Sequence, residues 1–318
     1  MVDWKPTATR STLELRAALL SRARNFFAER GVLEVDTPVV VNAPVTDVHI
    51  HSARVQFADD PRPFFLHTSP EYSMKRLLAA DSGDIFQICH VVRGMERGRQ
   101  HNAEFTLIEW YRLGYSLDRL MSEVETLVRH LLGDAAFSMS SERVSYREAF
   151  LRELRLDPFT APTEELAAAA KTVGFVEGAG RDELLELLMG AVVGPRLGRE
   201  ALTFVHDYPA SQAALARLNP EDARTALRFE LYCSGIELAN GFEELAAPEE
   251  QRRRFERDNQ ERQRLGLPRF DIDERLLAAL QAGLPACAGV ALGFDRTLML
   301  AAGARHIEAV LAFPTDRA

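Results

Sequence analysis

Two apolar runs, IFQICHVV at residues 85–92 and EFTLIEWYR at 104–112, flank a polar loop that carries Arg93, Arg97 and Arg99. Runs of this length, rich in β-branched and aromatic residues, read as strands, and the pair reads as an antiparallel hairpin with a long loop. Side chains alternate along a strand, so Phe105, Leu107, Glu109 and Tyr111 share one face. A carboxylate among apolar neighbours on a strand is unusual. Glu109 either faces solvent in a satisfied ion pair or belongs to a site that grips a cation.

Around the hairpin the pattern alternates between helix and strand. Residues 11–29 carry apolar positions at helical spacing, with Ser11 and Glu14 spaced as a capping box and Gly31 as a stop. VLEVDTPVV follows as a short strand with Pro38 near its end, and FFLHT at 64–68 runs into the helix SPEYSMKRLLAA. Residues 117–132 form an amphipathic helix. Residues 140–200 are Ala/Leu-rich and largely helical, an insertion packed on the sheet. ALTFVHDYPA reads as a strand, and FELYCSGIELANGFEEL as two strands about a turn. Helices are expected from Pro248 to about Leu265 and from about Ile272 to Ala282, and GVALGFDRTLMLAAG is a strand feeding a final helix. The mixture predicts an α+β fold, an antiparallel sheet flanked by helices, as one domain over residues 1–318.

Composition removes several classes of function. The chain has 318 residues, 47% hydrophobic and 27% charged, which is enough to bury a large core. A net charge of -9 argues against wrapping a long nucleic acid, which needs clustered Lys and Arg. Cys89, Cys233 and Cys287 are scattered with no CxxC pair, against zinc ribbons and disulfide frameworks and in keeping with a reducing cytosol. No run approaches the ~18 apolar residues of a membrane span. The N-terminus lacks an apolar signal core, so a cytoplasmic location is expected.

Further along, Glu230 and Glu237 flank the turn near Cys233–Gly235, at or near cross-strand positions. Like charges so placed repel unless a divalent cation lies between them. The other reading puts the two acids on opposite faces, in solvent. Glu71, near a helix start, is either a dipole-stabilising acid or a ligand for an ammonium group. Arg93 and Arg296 each begin or end a motif whose neighbours suit a nucleotide triphosphate. A fixed guanidinium fork can neutralise two anions that must approach each other and hold them in line.

The string HNAEFT at 101–106 is close to the HNPEFT of lysyl-tRNA synthetases and their paralogues. The arginine-opened loop and GVALGFDR at 289–296 resemble motifs 2 and 3 of class II aminoacyl-tRNA synthetases. The order helix, Gly31, strand, Pro38 resembles their motif 1, which forms the dimer interface. The resemblance implies the class II catalytic fold and activation of a carboxylate by ATP, with Arg93 and Arg296 as the catalytic pair. It gives Arg93 the α-phosphate and the substrate carboxylate, His101 and Arg296 the γ-phosphate, and Phe105 a stack on adenine. Gly94, Met95, Asn102, Glu237, Leu238 and Gly293 are further ATP contacts on the same resemblance. Glu230 and Glu237 hold Mg2+ there. ELANGFEEL resembles the ExxNGxxEL segment of lysyl-type synthetases, which gives Asn240 the substrate carboxylate and sets Glu244, with Tyr111, on the side-chain ammonium. TSPEY supplies Ser69, Pro70 and Glu71, and Glu71 meets a substrate amino group together with Glu109. Three carboxylates, Glu71, Glu109 and Glu244, suit a substrate with two ammonium groups, lysine or an isomer of it.

The likeness runs over nearly the whole chain from Ser11, without the N-terminal anticodon-binding barrel of lysyl-tRNA synthetase. That shape, with the strings RGVLEVDTP, TSPEYSMKRLL and GRQHNAEFTLIEWYR, is similar to the lysyl-tRNA synthetase paralogues that adenylate (R)-β-lysine and pass it to a lysine ε-amino group of elongation factor P. It implies ATP and Mg2+, elongation factor P as the acceptor, no tRNA, and a homodimer. Two other readings stand beside it: a truncated lysyl-type activating enzyme acting on tRNA or a small amine, and a non-catalytic regulatory paralogue. Two positions depart from the pattern. Met95 stands where motif 2 is expected to carry glutamate, and Ala291 where lysyl-tRNA synthetases carry glycine, which reshapes the amino-acid pocket.

Overall fold

The computed structural model describes residues 4–94, 97–133, 140–174 and 178–318. In chain order its elements are α1 (Arg10–Ala28), β1 (Leu33–Glu34), β2 (Val40–Val41), β3 (Arg54–Val55), β4 (Phe64–Leu66), α2 (Glu71–Ala79), β5 (Ile85–Val92), β6 (Glu104–Leu113) and α3 (Leu117–Leu132). Then come β7 (Ser140–Ser145), α4 (Tyr146–Leu154), α5 (Thr163–Ala170), α6 (Arg181–Leu188), β8 (Ala201–Pro209), β9 (Thr225–Cys233), β10 (Ile236–Glu243), α7 (Pro248–Arg264), α8 (Glu274–Gly283), β11 (Cys287–Gly293) and α9 (Phe294–Ala301). The chain divides into two compact units. Met1–Tyr115, His130–Leu132 and Leu245–Ala318 form the first; Ser116–Arg129 and Gly133–Glu244 form the second.

In the first unit the hairpin forms as its apolar runs require. Strands β5 and β6 pair antiparallel from Ile85↔Tyr111 to Val92↔Glu104. Strand β11 adds to the other edge of β6, antiparallel, from Cys287↔Leu113 to Gly293↔Leu107. Strand β1 runs parallel to β5, so the sheet is mixed where an antiparallel one was expected. The reason is the route between them: the chain passes through β2, β4 and α2 before returning, a crossover rather than a tight turn. The segment VLEVDTPVV does not make one strand. Pro38 removes a backbone donor, and β1 and β2 are separate two-residue pieces, the second pairing with β4 in a small sheet of order β2-β4-β3. Helix α1 is capped by Thr9, whose hydroxyl accepts from Thr12 N, and not by Ser11, which already lies inside the helix. The core packs Met74 and Leu78 of α2 with Ile85, Tyr111, Phe255 of α7 and Leu276 and Leu280 of α8. Phe27 of α1 stacks on Phe86 at 4.4 Å between ring centroids. Each such fully buried side chain contributes roughly 1.5–3 kcal/mol.

The second unit is built on β10, β9, β8 and β7, adjacent in that order. Pairs β10–β9 and β9–β8 are antiparallel, and β7 runs parallel to β8. The region 140–200 opens with this polar strand, SSERVS, before α4, α5 and α6. Those helices pack Tyr146, Phe150, Leu184 and Leu188 against Val205 and Tyr208 of β8 and Tyr232 of β9. Strands β9 and β10 are joined by a two-residue turn, with Cys233 opposite Ile236. Ser234 and Gly235 both have positive φ, 54° and 74°, the signature of the type I′ hairpin turn that matches strand twist.

Candidate active site

In the first unit, register across three strands builds a floor of side chains. Glu109 on β6 lies opposite Gln87 on β5 and opposite Ala291 on β11. The next rows on the same face place Leu107 beside Cys89 and Gly293, and Phe105 beside Val91. Glu109 is buried, 2% exposed, and does not face solvent. Ser69 Oγ donates to Glu109 Oε2 at 2.7 Å and Tyr111 OH donates to Oε1 at 2.8 Å. The same Ser69 hydroxyl accepts from Glu71 N at 3.0 Å, which ties the start of α2 to β6. Glu71 in turn pairs with Lys75, one turn on along α2, at 2.7 Å. Lys75 is buried, 1% exposed. Thr37 Oγ1 donates to Gln87 Oε1 at 3.0 Å, holding the amide beside Glu109. Burial, with the Glu109 charge adding to it, pushes the Cys89 thiol up to about 12, so this floor cysteine is no nucleophile at neutral pH.

The arginine just past the end of β5 is anchored beside Ser69. Arg93 Nε donates to Thr68 O at 3.2 Å, one residue before Ser69, and its guanidinium lies 5.2 Å from the Phe105 ring centroid. Arg296, on the first turn of α9, donates from Nη2 to His101 Nε2 at 2.6 Å and from Nε to Gln100 O at 3.3 Å. A guanidinium only donates, so His101 Nε2 is the acceptor and the imidazole carries its proton on Nδ1. The two residues assigned to one phosphate therefore touch. Asp295, beside Arg296, is buried. It accepts from Arg16 Nη1 of α1 at 2.5 Å and from Thr106 N of β6 at 2.7 Å, while Arg16 Nη2 reaches Thr106 Oγ1 at 2.6 Å. This bracket fixes α9 against β6.

Several residues that the resemblance assigns to a ligand also make bonds within the protein. Asn102 is 9% exposed and serves as a brace: Nδ2 donates to Glu104 O at 2.6 Å, and Oδ1 accepts from Thr315 N at 3.1 Å. Glu71 is engaged by Lys75, and Tyr111 is hydrogen-bonded to Glu109. Gly94 bridges to His51, its N donating to His51 O at 2.7 Å. Pro70 is buried at the N-cap of α2. Met95 lies outside the described residues.

The second unit holds the other acids. The ladder sets Glu230 opposite Asn240 and Glu237 opposite Tyr232. A register shift between Glu237 and Ala239, at Leu238, lets Glu237 and Asn240 share a face although they are three residues apart. Glu230, Tyr232, Glu237 and Asn240 thus stand on one face, and the opposite-face reading of the two glutamates fails. Glu230 Oε1 accepts from Arg228 Nη2 at 2.6 Å and Oε2 from Tyr232 OH at 2.5 Å. Burial and the Glu230 charge push the Tyr232 phenol well above its ordinary value, so it stays a donor. Glu244 is buried just past the end of β10, in a bridge with Ala216. Among the described residues no group of three or more His, Cys, Asp or Glu is placed to hold a metal ion.

Arg228, Tyr232, Lys75, Thr68 and the Arg16–Asp295 bracket were not singled out from sequence. The signals were present for some: Arg228 and Tyr232 sit two residues either side of Glu230, hence on its face, and Lys75 sits four after Glu71.

The family model for tRNA synthetases class II (D, K and N) matches residues 1–317. The chain is 49% identical over 326 residues to the elongation factor P--(R)-beta-lysine ligase of Proteus mirabilis (strain HI4320), covering 100% of this chain and 99% of that protein. It is 48% identical over 320 residues to the ligase of the same name from Vibrio vulnificus (strain YJ016), covering 98% of each chain. The ligase of that name from Vibrio cholerae serotype O1 is 49% identical over 324 residues, with 99% of each chain covered.

Proposed function

Because this chain belongs to the class II tRNA synthetase family (D, K and N), we propose that it is an ATP-dependent ligase that adenylates (R)-β-lysine and passes the acyl group to a lysine ε-amino group of elongation factor P. One geometric observation carries the chemistry. Arg93 is bonded to the carbonyl of Thr68, and the next residue, Ser69, holds the carboxylate of Glu109. A group that grips phosphate and a group that grips ammonium are thus neighbours, as joining an amino acid to AMP demands.

In the first half-reaction a carboxylate oxygen of the amino acid attacks the α-phosphorus of ATP in line, and pyrophosphate leaves. Attack brings two anions together. Arg93, held by Thr68 O and the Phe105 ring, is already oriented to offset that charge without reorganising during the reaction. Arg296 and His101 take the γ-phosphate, and Phe105 stacks on adenine. Glu109 receives a substrate ammonium. Asn240 takes the substrate carboxylate and Glu244 the side-chain ammonium. In the second half-reaction the deprotonated ε-amine of the acceptor attacks the acyl carbon, AMP leaves, and an amide forms with loss of a proton. The mixed anhydride is already activated, so proximity supplies most of that rate.

Mg2+ in nucleotide sites takes one or two protein carboxylates and completes its shell with phosphate oxygens and water. Glu230 and Glu237, on one face of β9 and β10, fit that set without a third protein acid and would hold the ion. It would neutralise phosphate charge. The same reading makes the enzyme a cytoplasmic homodimer that does not use tRNA as acceptor. Among the described residues no helix is long and apolar enough to cross a membrane.

The test is ATP–pyrophosphate exchange with (R)-β-lysine and with α-lysine, followed by transfer of the labelled acyl group to elongation factor P or to tRNA. Exchange that favours (R)-β-lysine and label on elongation factor P are expected. No exchange with either amino acid, or label on tRNA alone, overturns the reading.

A further inference from the structure

Arg228 has no role in the scheme above, yet it touches two residues that do. It lies on β9 two residues before Glu230 and opposite Phe242 of β10. Its guanidinium makes three bonds: Nη2 to Glu230 Oε1 at 2.6 Å, Nη1 to Gln212 O at 2.6 Å and Nε to Asn240 Oδ1 at 3.3 Å. The Tyr208 ring lies against it, 4.4 Å from its centroid.

A guanidinium presents donors and no acceptor. The Asn240 amide can therefore face Arg228 only with its oxygen. Its Nδ2 and both N–H groups must then point the other way. An asparagine without such a neighbour can turn through half a circle at little cost, and serve a donor or an acceptor ligand equally well. Asn240 is denied that choice. What it offers a ligand is N–H, and the ligand group that gains most from N–H is a carboxylate, through a charge-assisted bond. Lysine could not do the same: its ammonium is a single point on a flexible stem, whereas the planar fork meets Gln212, Glu230 and Asn240 at once.

We infer that Arg228 is a positioning residue that locks Asn240 as an N–H donor and so makes the amino-acid subsite selective for a free carboxylate. This rests on the proposed function, since it takes Asn240 to meet the carboxylate of the diamino acid.

The experiment measures two ligands in wild type and in Arg228→Met. One is (R)-β-lysine, by its KM in pyrophosphate exchange. The other is the amino alcohol in which that carboxylate is reduced to a hydroxymethyl group, by its Ki as a competitor. In Arg228→Met the KM for the amino acid is expected to rise about tenfold or more, as for loss of a charge-assisted bond. The Ki of the amino alcohol is expected to stay within about twofold, because it has no carboxylate to lose. A merely structural arginine would weaken both ligands together, and that result, or an unchanged KM, overturns the inference. Arg228→Lys keeps a cation beside Glu230 but cannot span to Asn240. It gives the same change in the ratio if Arg228→Met does not fold, and an unchanged ratio there counts against the lock. A wild-type enzyme without exchange would instead overturn the function itself.

Discussion

At the residue scale the proposed amino-acid site turns on Glu109, a buried carboxylate on a largely apolar strand face. Both its oxygens accept hydrogen bonds from neutral hydroxyls, Ser69 and Tyr111, so the charge is oriented there rather than cancelled by them. Glu109→Gln keeps the shape and removes the charge. Charge-assisted bonds contribute about 1.5–3 kcal/mol, so the KM for the diamino acid should rise roughly 10- to 100-fold while the KM for ATP changes little. Pyrophosphate exchange measures both, and a parallel rise in the two would mean that Glu109 holds the fold instead. Alternation alone marked this acid as unusual and left a solvent-facing ion pair open. Its burial closes that reading, and the proposed role comes from the resemblance of HNAEFT rather than from the pattern. That Glu71 pairs with a buried lysine was legible only as an i,i+4 spacing, because spacing along a helix does not say which of its positions tertiary packing will bury. A second residue-scale prediction concerns Asp258 on α7. Burial holds its carboxyl above the usual carboxylate range, against the opposing hydrogen bond from Thr46 Oγ1 at 2.6 Å. A carboxyl whose folded pKa is raised binds its proton more tightly folded than unfolded. Its contribution is fully present below the unfolded value and is lost as pH rises through the raised one. Asp258→Asn mimics the protonated form. It should match wild type in acid and exceed it in thermal stability at neutral pH; a variant less stable across the whole range would show that burial is not the dominant influence.

At the scale of elements, sequence read best where one rule dominated. Strands β5 and β6 came out at 85–92 and 104–113 because both runs are apolar and end at polar loop residues. Helix α3 came out at 117–132 because its apolar stripe is unbroken. Strand β7 was missed for the opposite reason: SSERVS has no apolar run, and it is a strand only because β8 offers it a parallel edge. The β9–β10 turn was recognised but not its pairing, since register follows from turn type, and Ser234 is not a residue that announces positive φ. That turn carries a prediction. Gly235 has φ 74°, and a Cβ there would come within 2.5 Å of Pro195 O. Gly235→Ala should lower stability by about 2 kcal/mol or more, part backbone strain and part collision with a carbonyl that cannot easily retreat. Because the turn sets the register of Glu230 and Glu237, the variant should also need more Mg2+ for half-maximal exchange. A denaturation midpoint equal to wild type would mean the turn gives way without strain.

At the scale of the whole molecule the net charge of -9 is at odds with a loop that places Arg97 and Arg99 in solvent. The loop is held by backbone and amide bonds from the C-terminal segment: Ile307 N donates to Arg99 O at 2.9 Å and Thr315 N to Asn102 Oδ1 at 3.1 Å. Arg97 adds an ion pair with Asp316 at 2.7 Å, both side chains being more than half exposed, and such surface pairs contribute little to stability. None of these backbone and amide bonds uses the Arg97 or Arg99 side chain, and an acidic partner can compete for Arg97 with its weak surface pair. A protein acceptor must bring its lysine to the adenylate, and a local positive patch on an acidic enzyme can steer an acidic partner in one orientation. Reversing both charges, Arg97→Glu with Arg99→Glu, should leave pyrophosphate exchange near the wild-type rate. Transfer to elongation factor P should fall about tenfold at low ionic strength, with less salt dependence than in wild type. Single-turnover transfer from preformed adenylate separates the two steps. If exchange and transfer fall together, the arginines serve ATP and the acceptor docks elsewhere.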